Sequence, residues 1–260
     1  MKQTVWITGA TSGIGKAFAR QYAASGCRLI LTARNEEQLK ALASELSVPC
    51  TLLPGDLTDA AVRRQMLRRF RKQTSDIPLP VPDIFINNAG MGVCGRFTDT
   101  DTDRELMLIR LNVEAMHHLF KESLKLMEKR GSGTILNVGS SAGLLPAGPY
   151  MAAYYASKSY VVSLTRAAAR ELREKHSRVY TAVLCPGPVD TEFNTRAGAV
   201  SALKGITPEF CVTEACKGMK KKKTVIVPSA FMRFCTHAQV LLPDSLLIPI
   251  TGHQQKKKMR

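Results

Sequence analysis

Residues 4–15 read Thr-Val-Trp-Ile-Thr-Gly-Ala-Thr-Ser-Gly-Ile-Gly, a short apolar run that ends in a glycine-rich turn. A helical periodicity begins inside this stretch and continues from Gly13 to Ala24. Glycine lets the backbone turn tightly and approach a phosphate, and a helix N-terminus offers free N–H groups. The stretch therefore predicts a strand, a phosphate-binding turn and a helix. The residues expected to bind the phosphates are Gly9, Thr11, Ser12, Gly13, Ile14 and Gly15.

The alternation of strand and helix patterns continues along most of the chain. Such an alternation predicts an α/β fold, a single-domain Rossmann-type doubly wound sheet of seven mainly parallel strands with helices on both faces. Residues 1–230 are expected to form a dinucleotide-binding catalytic domain, and residues 231–260 a C-terminal extension with a basic tail. The predicted strands are Thr4–Thr8, Arg28–Thr32, Cys50–Leu53, Asp83–Asn87, Thr134–Val138, Val179–Cys185 and Thr224–Val227. The predicted helices are Gly13–Ala24, Glu36–Leu46, Ala60–Lys72, Asp103–Lys129, Ala152–Lys175 and Glu209–Lys221.

Arg34 follows the second predicted strand, where the type of cofactor is discriminated. In dinucleotide-binding folds an acidic residue at this point binds the ribose 2′-hydroxyl, and an arginine accommodates a 2′-phosphate. No acidic residue precedes Glu36 here. The sequence therefore predicts NADP(H) rather than NAD(H).

Tyr154 and Lys158 are four residues apart in a predicted helix and share one face. A free tyrosine has a pKa of about 10, and a neighbouring ammonium lowers that pKa. Such a pair can give a proton to a carbonyl oxygen or take one from an alcohol. The spacing alone is weak support, because Tyr155 and Tyr160 lie nearby.

Seven short motifs, in order along the chain, resemble the short-chain dehydrogenase/reductase family over about residues 1–230. They are the glycine turn Thr8–Gly15, Asp56-Leu57, Asn87-Asn88-Ala89-Gly90, Asn112, a serine after the fifth strand, Tyr154 with Lys158, and Pro186-Gly187. The resemblance is to the NADP(H)-type members, closest to broadly annotated bacterial short-chain reductases.

The resemblance implies an NAD(P)H-dependent oxidoreductase that transfers hydride between the nicotinamide and a carbonyl or secondary alcohol. Tyr154 is then the general acid or base, Lys158 lowers its pKa and binds the nicotinamide ribose, and Asn112 holds a water of the proton relay. The alternative is a catalytically silent, dinucleotide-binding regulatory protein. The resemblance places the cofactor on Asp56, Leu57, Asn88, Ala89, Gly90, Tyr154, Lys158, Pro186, Gly187, Val189 and Thr191, besides the glycine turn and Arg34.

The catalytic serine has two candidates. The usual family spacing, thirteen residues before the tyrosine, gives Ser141. Alignment of Asn137 to Gly143 with the family motif gives Ser140. Ser140 is favoured because strand geometry fixes its direction, whereas the loop Leu144–Pro149 can absorb one extra residue.

The composition limits the partners. The net charge is +16, and a first basic set has helical spacing and is interpreted as a solvated helix face: Arg63, Arg64, Arg68, Arg69, Arg71 and Lys72. No nucleic-acid recognition motif accompanies the charge, so no nucleic acid is expected.

Seven cysteines without paired spacing predict reduced thiols and no metal site. Neither a leader nor a transmembrane run is recognised, which predicts a cytoplasmic protein.

The substrate is expected to be an apolar carbonyl or alcohol, because the candidate pocket residues are apolar: Met91, Cys94, Leu145, Met151 and Phe193. Residues 194–206 are expected to form a mobile lid. A homodimer or homotetramer is expected.

The C-terminal stretch Ala238–Ile250 can cover the pocket, form a subunit interface or touch a membrane surface. Packing or dimerisation is favoured, because Pro243 and Pro249 are expected to interrupt a long amphipathic helix.

Overall fold

Seven parallel strands form the central sheet, in the order β3-β2-β1-β4-β5-β6-β7. The structure is a computed structural model that describes residues 2–71, 78–198 and 205–259. The sheet order reverses between β1 and β4, both of which pair with neighbours in parallel register. This confirms the predicted doubly wound fold. The strands are β1 (Thr4–Thr8), β2 (Arg28–Thr32), β3 (Cys50–Leu52), β4 (Ile84–Asn87), β5 (Gly133–Val138), β6 (Val179–Leu184) and β7 (Val225–Ile226).

Helices cover both faces of this sheet. They are α1 (Gly13–Ala24), α2 (Glu36–Glu45), α3 (Ala60–Arg68), α4 (Thr102–Ile109), α5 (Met116–Arg130), α6 (Ala152–Glu174), α7 (Phe193–Arg196), α8 (Pro208–Lys220), α9 (Ala230–Ala238) and α10 (Asp244–Lys256). None of the helices within the described ranges is both long and apolar enough to cross a bilayer.

The core explains why the strands are apolar on both sides. On β1, Val5 and Ile7 pack with residues of α1 and α8, whereas Trp6 points to the opposite face. Trp6 stacks on Phe85 of β4, with ring centroids 4.2 Å apart, and packs with residues of α3, α5 and α6. The central strands are thus buried on both faces, as a parallel sheet requires.

The predicted long helix Asp103–Lys129 is interrupted. A π-helical segment, Arg110–Ala115, separates α4 from α5 and contains the buried Asn112. The apolar periodicity runs through all three segments, so the hydrophobic pattern does not reveal the interruption. Such π-helical turns occur often at functional sites.

The interpretation of Arg63 as part of a solvated face is wrong. Its side chain is only 2% exposed, and it donates hydrogen bonds to the carbonyl oxygens of Leu57 and Thr58. It also pairs with Glu114 of the π-helical segment. The aliphatic stem and these acceptors allow the cation to be buried, which helical spacing alone does not show.

The expected interruption at Pro249 is also wrong, because Pro249 lies inside α10. Pro243 instead immediately precedes the helix as its N-cap residue. Pro249 removes the donor that would pair with the carbonyl of Ser245, but both residues are exposed. Water can therefore satisfy that carbonyl, and the helix continues.

Candidate active site

A cavity of about 890 Å³ lies at the carboxyl ends of the strands, where the sheet order reverses. It extends from Arg34 and Asp56 at one end to Met151 and Phe193 at the other. Such crevices are the usual ligand site of open parallel sheets. The glycine turn, Tyr154, Lys158 and both candidate serines lie in its wall.

The glycine turn at the N-terminus of α1 suits a pyrophosphate. A Cβ on Gly15 would lie 2.0 Å from the carbonyl oxygen of Gly9, and Gly9 and Gly13 have φ values of +63° and +50°. Only glycine allows so tight a turn. Ser12 precedes the helix, but its side chain does not cap it. The first N–H groups of α1 are therefore available to an anion.

Arg34 lies just beyond β2, on the cavity wall. The next residue, Asn35, is the N-cap of α2, and its side chain accepts a hydrogen bond from the Gln38 amide at 3.0 Å. The cap fixes the start of α2 and leaves the exposed Arg34 guanidinium beside the cavity. A 2′-phosphate at this end of the cavity would lie beside the Arg34 cation. An acidic residue at this position would repel it instead.

The motif residues Asp56 and Asn88 both line the cavity, but each also has a local partner. Asp56 accepts hydrogen bonds from the amide and hydroxyl of Thr58, both at 2.9 Å. Asn88 donates from its side chain to the carbonyl oxygens of Thr8 and Gly9. Asn88 therefore ties the end of β4 to the glycine turn, which gives it a clear positioning role. Leu57, Ala89 and Gly90 also line the cavity.

Tyr154, Lys158 and Ser140 meet near the middle of the cavity. The Ser140 side chain interacts with the Tyr154 phenol and acts to lower its pKa. Lys158 Nζ lies 5.8 Å from the centroid of the Tyr154 ring and donates to the carbonyl oxygen of Val138 at 2.9 Å. Ser141 is buried, and its amide donates to the Pro186 carbonyl. The geometry supports Ser140 as the serine of the site.

The pKa of Tyr154 is raised to about 12, and not lowered as the resemblance implies. Burial is the main cause, and the interaction with the Ser140 side chain opposes it. Burial also lowers the pKa of Lys158 to about 8. Lys158 donates a hydrogen bond to a backbone carbonyl. Because burial disfavours the phenolate, the Tyr154 phenol keeps its proton at neutral pH.

Asn112 lies close to Lys158 but is held by protein groups. Its Oδ1 accepts from the Met91 amide at 2.9 Å, and its Nδ2 donates to the Met91 carbonyl and to the Ser157 hydroxyl. Asn112 Oδ1 and Lys158 Nζ both lie within 3.4 Å of where a Cβ on Gly90 would stand. Gly90 therefore lets the two polar groups approach each other.

The loop after β6 forms the wall beside Ser140. Pro186, Gly187, Val189 and Thr191 all line the cavity, and a methyl of Thr191 lies 3.0 Å from a Cβ position on Gly13. The lid predicted for residues 194–206 begins in α7, where Arg196 pairs with Glu192. Residues 199–204 lie outside the described residues.

The C-terminal segment provides the last wall of the cavity, which is one of the three roles that the sequence left open for it. We refer to residues 230–256 as the cover. Gln239 donates from its side-chain amide to the Leu144 carbonyl at 2.5 Å, and Gln255 donates to the Tyr155 hydroxyl at 2.7 Å. Of the expected apolar lining, Cys94 is not on the wall, whereas the other four residues are. The cover adds Met232, Phe234, Leu242, Leu247, Ile250 and Thr251.

Comparison with known proteins identifies the relatives of this chain. A profile of the short chain dehydrogenase family matches residues 3–201. The chain is 30% identical to the D-beta-hydroxybutyrate dehydrogenase of Rhizobium meliloti over 234 residues, which cover 87% of this chain and 88% of that one.

Two solved structures are similar over most of their length. A short-chain dehydrogenase from Sphingobium yanoikuyae in complex with NADPH has 30% identity and a TM-score of 0.79, with 92% of this chain and 95% of that chain covered. The bulky-bulky ketone specific alcohol dehydrogenase from Comamonas testosteroni has 28% identity and a TM-score of 0.74, with 92% and 93% covered. This chain belongs to the short-chain dehydrogenase/reductase family, whose members are nicotinamide-dependent oxidoreductases.

Proposed function

We propose that this protein is an NADP(H)-dependent oxidoreductase that interconverts an apolar ketone or aldehyde and its alcohol. The observation that carries the proposal is the grouping of Ser140, Tyr154 and the buried Lys158 in the same cavity as the glycine turn. A phenol and a hydroxyl that face one point can bind one carbonyl oxygen together.

The roles of the side chains follow from their positions. Ser140 orients the substrate oxygen, and Tyr154 gives it a proton in reduction or takes one in oxidation. The bound dinucleotide supplies or accepts the hydride. Lys158 replaces the proton on Tyr154, and Asn112 holds the Met91 backbone and the Ser157 hydroxyl in place. The raised pKa of Tyr154 favours the protonated phenol, which suits reduction at neutral pH.

The preference for NADP(H) rests on Arg34. A guanidinium forms strong, charge-assisted hydrogen bonds with a phosphate, and NAD(H) lacks the phosphate at that point. The similarity to the NADPH-bound dehydrogenase from Sphingobium yanoikuyae supports this choice.

The apolar substrate class is inferred from the side chains opposite Tyr154. Leu145, Met151 and Phe193 meet the apolar residues of the cover there, and the Phe193 ring centroid is 5.4 Å from that of Tyr154. A wall of this kind binds hydrocarbon groups on the substrate. The relative from Comamonas testosteroni acts on bulky ketones, which agrees with this class.

We also propose that the protein is cytoplasmic and forms a homo-oligomer, as the sequence predicts.

The function is tested with the purified protein, NADPH and a panel of apolar ketones and aldehydes. We expect oxidation of NADPH, and a loss in kcat/KM of about a hundredfold or more in Tyr154→Phe. Tyr160→Phe is the matched control, because Tyr160 is on the same helix but bonds to His117 away from the cavity. NADPH binding without turnover of any substrate would favour the catalytically silent alternative.

A further inference from the structure

The cover exposes large apolar side chains on its outer surface. Helix α9 buries none of its residues, and Phe231 and Phe234 are 70% and 71% exposed. Leu241 is 86% exposed. Isolated exposed apolar residues are ordinary, but a group of them within one short segment marks an interaction surface. The group, termed the apolar rim, comprises Phe231, Phe234, Leu241, Leu242, Leu246 and Ile250.

The apolar rim borders the cavity. Phe234, Leu242 and Ile250 come from three parts of the cover, and each is both exposed and part of the cavity wall. Phe231 and Leu246 stand one helical turn from Phe234 and Ile250 respectively. The exposed surface is therefore continuous with the apolar interior of the substrate site.

The charge of the cover and of the four residues that follow it indicates what contacts the rim. Residues 230–260 contain five basic residues, Arg233, Lys256, Lys257, Lys258 and Arg260, and one acid, Asp244. A second copy of this chain across a two-fold axis would bring the same excess of positive charge to the interface. An anionic surface would be attracted instead. Apolar side chains together with basic residues are the two signals that hold a protein on an anionic membrane.

We propose that the apolar rim docks on membranes that contain anionic lipids, so that the substrate enters the cavity from the bilayer. The docking itself is independent of the proposed function. The route of entry rests on the proposed function, and it implies a lipophilic carbonyl or alcohol that partitions into membranes.

The docking is tested by sedimentation with vesicles, without cofactor or turnover. We expect the full chain to sediment with phosphatidylcholine vesicles that contain about one third phosphatidylglycerol, and to remain in solution with phosphatidylcholine alone. Added salt should weaken the binding, because it screens the lysines. Absence of sedimentation with the anionic vesicles would overturn the proposal, whatever the enzymatic result.

Variants of the rim test its role. Phe231→Ser with Leu241→Ser removes two exposed side chains that do not line the cavity, and should lower the partition coefficient about tenfold or more. Phe97→Ser is the matched control, since Phe97 is 69% exposed in a different region and should have no effect. Circular dichroism and the melting temperature establish that the variants fold.

Two further outcomes would overturn the proposal. One is equal vesicle binding by wild type and by the double variant. The other is self-association in sedimentation velocity that the double variant abolishes, in a protein that does not bind vesicles. The latter result would assign the apolar rim to a second copy of the chain.

Discussion

We propose that the choice of cofactor depends on a single side chain, Arg34. Arg34→Ala removes the cation beside the expected 2′-phosphate, and a charged hydrogen bond contributes about 1.5–3 kcal/mol. We expect the Kd of NADPH to rise about tenfold to a hundredfold, with that of NADH nearly unchanged. Fluorescence titration of both cofactors measures this. Arg20→Ala is the control, because Arg20 is exposed and pairs with Glu45 on the neighbouring helix. Equal losses for both cofactors would refute the role of Arg34.

Lys158 should make the stability of the cofactor-free protein depend on pH. Its pKa is lowered to about 8 by burial, from a normal value near 10.5. Between these values the unfolded chain binds more protons than the folded protein, so stability rises with pH from about 8 to 10.5 and is lost as pH falls back over that range.

Lys158→Met lacks this titration and serves as the reference. The difference in unfolding free energy, wild type minus variant, should increase by about 2 kcal/mol from pH 8 to pH 10. Urea unfolding at several pH values measures it. A difference that does not change with pH would show that Lys158 titrates normally in the folded protein.

At the scale of elements, Arg63 connects α3 to the loop that follows β3 and to the π-helical segment. It donates to the loop that follows β3 and pairs with Glu114, two residues from Asn112. Arg63→Met leaves buried carbonyl oxygens without donors, at a cost of about 1–3 kcal/mol. We therefore expect lower stability to urea, together with weaker cofactor binding.

Arg64→Met is the matched control for this prediction. Arg64 is the next residue of the same helix but is exposed, so its replacement should change stability by less than about 0.5 kcal/mol. Similar losses in the two variants would contradict the role assigned to Arg63.

The elements of the sheet could be predicted because their signals are local. Each strand is a short β-branched run, and each neighbouring helix has its own apolar periodicity, so the order of elements followed directly. The π-helical segment could not be predicted in this way. It depends on the contact of Asn112 with Met91, which lies on a different element. The burial of Arg63 likewise depends on acceptors from other parts of the chain.

At the scale of the whole molecule, the cover closes a site that the sheet alone leaves open. Leu247 is buried against the cavity, whereas the adjacent Leu246 is 53% exposed. Leu247→Ala should enlarge the substrate end and raise kcat/KM for bulky relative to small ketones about tenfold. The KM of NADPH should not change. Initial rates with paired ketones, in the absence of vesicles, measure this ratio.

Leu246→Ala controls for general effects on α10. Because Leu246 faces away from the cavity wall, its replacement should leave the ratio unchanged. A ratio that is the same in wild type and Leu247→Ala would show that the cover does not limit the substrate.

The cofactor side of the site and four apolar residues of the substrate side were accessible from the sequence, whereas the contacts of the cover were not. Glycine turns, Arg34 and the tyrosine–lysine pair are compact motifs with a fixed chemistry. The contacts of the cover are of another kind: Gln255 reaches Tyr155 across one hundred positions of the chain. No local pattern marks Gln255 or Gln239, and the two prolines nearby suggested a broken helix instead of a wall.

This division has a consequence for how the protein can evolve. The residues that handle the dinucleotide and the proton lie before residue 192, whereas the cover is a separate segment at the other end of the sequence. Mutations in the cover can therefore alter which molecules are accepted while selection on the chemistry is left undisturbed. Exchange of this segment among homologues is a direct route to new specificities on an unchanged catalytic scaffold.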